Sequence, residues 1–168
     1  MGKPYGSNQS RSALSAPAEV SARAGNTHQA RAAVDTARDT VSDVAAAERP
    51  TGFNTDRLDG FDGLCALHLG EAKRAHDLLE SSLATLTNAR DAVQRGIVTT
   101  DLAQARLQLG DPAGCGKLLH EAVEIAATTG GRVPAQRLHR ARRELRRWGA
   151  TVVIADLDDH LHERLLGR

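Results

Sequence analysis

Aromatic side chains are nearly missing from this sequence, which has one Trp, one Tyr and two Phe in 168 residues. Sheet cores draw on aromatic and β-branched residues, so the shortage argues against a β-sandwich. Cysteine is scarce as well. Cys65 and Cys115 have no C-x-x-C spacing and read as two small buried hydrophobes in a reducing, cytoplasmic setting. No apolar run reaches the roughly 18 residues of a membrane-spanning helix, so no membrane partner is expected. The opening MGKPYGSNQSRS lacks the apolar stretch of a secretory signal, and Gly6 stands where myristoylation needs Ser or Thr. Neither sign of charge dominates. With 22 Lys and Arg against 21 Asp and Glu, the net charge is +1, and bulk electrostatics give no argument for nucleic acid.

Catalytic motifs are also lacking. There is no G-x-S-x-G, no Walker loop, no H-E-x-x-H and no G-x-G-x-x-G, so neither an enzyme nor a cofactor is expected. Gly110–Lys117, GDPAGCGK, is superficially similar to a phosphate loop. It has no Ser or Thr after Lys117 and no strand before it. In Asp158–Glu163, DDHLHE, a helix would point His160 and His162 about 200° apart, so they cannot chelate one metal together. That segment reads as a solvated helix face.

What is present is Ala and Leu at helical spacing. Residues 1–10 read as a disordered tail. A helix is expected from Ser12 to Ala24, ended by Gly25-Asn26, with Thr27 as N-cap of the next. Ala30, Val34, Ala37 and Val41 stripe that second helix, and Ala47–Asn54 is a linker. Leu58, Phe61, Cys65 and Leu69 stripe a third, and Ala75, Leu78, Leu79, Leu83 and Leu86 its return. Val98, Leu102, Ala105 and Leu109 open another pair, which turns at Gly110-Asp111-Pro112. Thr128–Pro134 is expected as a loop. A last pair runs from Leu138, Ala141 and Leu145 through Trp148-Gly149 to Ile154, Leu157, Leu161 and Leu165. TVVI, 151–154, is the one weak strand candidate.

The turn glycines Gly25, Gly70, Gly110 and Gly149 are separated by 45, 40 and 39 residues. Five places after the first three stand Ala30, Ala75 and Cys115. Nine places after stand Val34, Leu79 and Leu119, and twelve places after stand Ala37, Ser82 and Ala122. A small residue shortly after a tight turn lets two antiparallel helices cross closely. This register resembles the tetratricopeptide repeat (TPR), a helix–turn–helix unit of about 34 residues. The spacing here is longer, and the family's aromatic positions are empty. The stretches LCALHLGEAKRAHDLLESSLATL and DLAQARLQLGDPAGCGKLLHEAVEIA, with the Arg-rich end, are similar to the C-terminal TPR-like region of actinobacterial XRE-type helix-turn-helix transcriptional regulators. The resemblance implies an all-α, TPR-like solenoid of about four antiparallel helix pairs over 11–168, with units near 11–46, 55–90, 92–128 and 134–167. No helix-turn-helix pattern occurs in residues 1–50, so the chain looks like the regulatory half without the DNA-reading half.

Arg137–Trp148, RLHRARRELRRW, sets six arginines against Glu144. Leu138, Ala141, Leu145 and Trp148 share one side of its helical wheel; Arg140, Arg143, Arg146 and Arg147 share the other. In TPR arrays the first helix of each unit lines the binding groove. The resemblance therefore implies a partner-binding face of Arg23, Arg57, His68, Gln104, Gln108, Arg140, Arg143 and Arg147. Asp56, Asp59 and Asp62 read as a solvated acidic edge near a helix start. An arginine-lined groove suits a protein or acidic peptide, since guanidinium pairs with carboxylate. Direct nucleic-acid binding by residues 137–147 is the alternative, and a homodimer would form if a second copy covered an apolar end of the array.

Overall fold

The computed structural model describes residues 19–47, 55–130, 132–149 and 151–166, and among them every regular element is helical. A short helical segment, α1 (19–23), precedes α2 (Thr27–Ala47), α3 (Thr55–His68), α4 (Ala72–Thr85), α5 (Ala92–Gln108), α6 (Pro112–Thr129), α7 (Arg132–Arg147) and α8 (Thr151–Leu161). A 3₁₀ turn, Ala89–Asp91, leads into α5, and a π-helical turn, His162–Leu166, follows α8. TVVI, the one weak strand candidate in a sequence expected to form no strands, begins α8. The tail at 1–10, the helix start at 12–18, the linker residues 48–54 and the Ala37 and Val41 side chains lie outside the described residues.

The turns repeat atom for atom. Gly70 has φ +76° and Gly110 has φ +82°, a left-handed conformation that side chains resist. The Gly70 amide donates to Leu67 and the Glu71 amide to Ala66; Gly110 donates to Leu107 and Asp111 to Arg106. Gly25 and Asn26 make the same two bonds, to Ala22 and Ser21. Each is a Schellman cap, which satisfies the last carbonyls of one helix while the chain reverses. Asn26, rather than the expected Thr27, caps α2, because its Oδ1 accepts from the Gln29 amide at 3.3 Å. Asp111 caps α6 at Gly114, 2.8 Å, which accounts for GDPAGCGK as helix punctuation.

The residue five places after each glycine is buried to 1% exposure or less: Ala30, Ala75 and Cys115. Leu79 and Leu119, nine places after, have no exposed surface, and each contributes about 1.5–3 kcal/mol by burial. Helices α3 and α4 cross so closely at Gly63 that a Cβ there would sit 2.7 Å from Leu79 Cγ. From α2 onward each helix touches the next in the chain, and α3–α5, α5–α7 and α6–α8 also touch, so alternate helices lie side by side. Three apolar clusters result, centred on Ala30–Cys65, Leu79–Leu102 and Leu119–Leu145–Leu157.

Several expected boundaries move. The loop at Thr128–Pro134 shrinks, because α6 runs to Thr129 and α7 starts at Arg132. Pro134 is buried in the first turn of α7, where no amide hydrogen is required. Leu109 and Trp148 fall on turns and stay 46% and 53% exposed, outside the core stripes assigned to them. Asp62 is not solvated; it is 4% exposed and takes two bonds from Arg74 Nη2, at 2.8 and 2.9 Å, across the α3–α4 pair. Asp158 likewise pairs with Arg142 across α7–α8.

Candidate functional site: a mixed-charge face on the first helices

Four first helices bring charged and amide side chains to one neighbourhood. Arg23 of α1 pairs with Glu19 one turn earlier, and its Nε donates to His68 Nε2 of α3 at 3.3 Å. Since Nε2 accepts, the His68 proton sits on Nδ1. Burial pushes the His68 pKa down to about 4, and the positive charges of Arg23, Arg140 and Arg137 push the same way, with Glu19 opposing. The ring is therefore neutral at neutral pH, poised between guanidinium groups.

Asp101 of α5 is 2% exposed. Arg137 of α7 reaches it with Nη1, 2.6 Å from Oδ1 and 2.5 Å from Oδ2. Burial nevertheless pushes the Asp101 carboxyl up to about 6; Arg137 and Arg140 pull it down, and Glu19 adds to the rise. Glu19, Arg23, His68, Asp101, Arg137 and Arg140 thus act on one another across α1, α3, α5 and α7. Gln108 is exposed, and its Nε2 donates to the Leu67 carbonyl beside His68 at 3.2 Å. Gln104, one turn earlier, is half-buried.

The structure therefore gathers Arg23, His68 and Arg140, with Gln104 and Gln108 on the α5 helix between them. It does not gather Arg143 and Arg147 with them in the same way. Both are exposed, and Arg147 turns to Glu144 of its own helix at 3.2 Å. The Arg57 side chain lies outside the described residues. Glu19, Asp101 and Arg137 are the members that the sequence reading missed. One signal was readable: Asp101 sits in VTTDLAQA, where its neighbours are spaced as core.

Other chemistry is scant. Burial pushes both the Cys65 and Cys115 thiols up to about 12, so neither is a ready nucleophile. Among the described residues no group of three or more His, Cys, Asp or Glu is arranged to hold a metal, and no helix is long and apolar enough to cross a membrane. The chain matches no protein-family model, no curated protein and no solved structure.

Proposed function

We propose that this chain is a non-catalytic, TPR-like module that binds a protein or acidic peptide on its first-helix face, and that it serves as the regulatory part of a transcriptional regulator. The observation carrying this reading is Arg140. Arg140 is half-buried and its charge acts on neutral His68 and on Asp101, but among the described residues no carboxylate forms an ion pair with it, Asp101 being held by Arg137. A partly desolvated, unpaired guanidinium favours an incoming carboxylate. Exposed Arg23, tied to half-buried Glu19 and to His68, lies on the same face, while the Gln104 amide suits a peptide backbone. The glycine-punctuated register supports the TPR-like arrangement, and the XRE-type resemblance supports the regulatory role.

Fluorescence anisotropy with a panel of acidic peptides tests the reading. Replacing Arg23 and Arg140 with Ala together should weaken binding at least about tenfold, the equivalent of one lost charge-assisted contact. Replacing Arg143 and Arg147 together should change it little. Undiminished binding by the first double variant overturns the proposal.

A second reading rests on the exposed outer face of α7, where Arg143, Arg146 and Arg147 adjoin Trp148, 53% exposed. Arginine beside an indole suits a nucleic-acid strand. It requires DNA or RNA retardation that collapses with added salt.

A further inference from the structure

Helices α6 and α8 meet through two histidines. Nδ1 of His120 lies 2.7 Å from Nδ1 of His160, and the rings stack with centroids 4.8 Å apart and planes 28° from parallel. Nε2 of His160 lies 2.7 Å from Oε1 of Glu124 on α6. Arg164, in the π-helical turn, grips the same carboxylate with Nε at 2.8 Å and Nη2 at 2.6 Å. The segment DDHLHE keeps Asp159, His162 and Glu163 exposed, as its sequence suggests, but is tied to α6 at His160.

A hydrogen bond between two imidazole nitrogens needs one protonated and one bare nitrogen. The pair therefore has room for a single Nδ1 proton. If both rings became imidazolium, two N–H groups would point at each other and two positive charges would stack. Burial holds His120 below the usual histidine range, and the positive charge of His160 does the same, with Asp156 of α8 opposing. Glu124 of α6 and Arg164 of the turn are the charges on the His160 side. From α7, Arg142 reaches α8 at Asp158, where it is already paired.

We propose that the His120–His160 pair is a pH-sensitive latch that fastens α8 and the turn after it to α6 at neutral pH and loosens them on acidification. The direction follows from proton uptake. A released His120 titrates in the usual range, whereas the latched one stays neutral further down, so falling pH favours release. Release uncovers the α6 side chains Cys115, Leu119 and Val123, which Ile154, Leu157 and Leu161 help cover.

Amide hydrogen exchange of the full chain, corrected for the intrinsic effect of pH, tests this. Between about pH 7.5 and 5, protection of α8 should fall several-fold relative to α5. His120→Gln, which cannot take the second proton, should abolish that fall. Histidine ring titration by NMR reads the latch without any variant: His120 should titrate below the usual range, and His160→Gln should move it back up. Equal loss of α8 protection in His120→Gln, pH-independent protection in the native chain, or titration of His120 in the usual range would each overturn the proposal.

Discussion

Arg137 reaches from α7 to a carboxylate on α5 that is 3% exposed at its side chain, while its own side chain keeps 25%. The two partners are therefore unequal when one is removed. Arg137→Ala leaves an uncompensated buried carboxylate and should destabilise the fold by about 3–5 kcal/mol. Asp101→Asn frees Arg137 to turn toward water and should cost less. Urea denaturation at neutral pH compares them; equal losses would contradict the account. His68 carries a pH signature of known sign. Its folded pKa, about 4, lies below the ordinary 6.5, so the unfolded chain takes up the proton first. Its contribution to stability is complete above pH 6.5 and is lost as pH falls toward 4. Asp101 runs the other way, because its folded pKa is raised to about 6 and protonation relieves its burial. The difference between the native chain and His68→Gln isolates the histidine. Urea midpoints of the two should converge as pH falls from 6.5 to 4, and a constant gap would count against a neutral His68.

At the scale of the helix, the turn is the unit that the sequence spells out. Gly70 and Gly110 hold φ of +76° and +82°, so Gly→Ala at either should cost about 1–2 kcal/mol although nothing lies within 4 Å to clash. Ala75→Leu should cost about 1–3 kcal/mol for the opposite reason, since Ala75 has no exposed surface and sits where α4 crosses α3. Thermal or urea unfolding of the three variants checks both, and a silent Ala75→Leu would contradict close helix crossing. These features were legible because backbone sterics act locally: a glycine, then a small residue five places on. The start of α7 was not legible, because Pro134 looks like a helix breaker yet suits a first turn of a helix that already begins at Arg132. Asp62 and Asp158 were misread as solvent-facing because the arginines that cover them, Arg74 and Arg142, stand on the opposite helix of each pair. A helical wheel shows one helix at a time and cannot reveal a partner across the crossing.

For the whole molecule, near-neutral charge hides an uneven distribution. Stacking first helix beside first helix collects Arg23, Arg137 and Arg140 around His68, though they are far apart in sequence. The site was half legible for that reason. Knowing that first helices share a face pointed to Arg23, His68 and Arg140. Only packing showed that Asp101 and Glu19 lie among them, that Arg137 is committed to Asp101, and that Arg147 turns to Glu144 instead. The face is consequently less basic than the arginine count of α7 suggests, and Arg140 is a half-buried cation on it that acts on Asp101 without forming an ion pair among the described residues. A chemical-shift map of the full chain titrated with an acidic peptide tests the claim most directly. The account predicts amide perturbations concentrated at Arg23, His68, Gln104 and Arg140, on α1, α3, α5 and α7, saturating with the peptide. Perturbations confined to the second helices, or to Arg143–Trp148 alone, would contradict it.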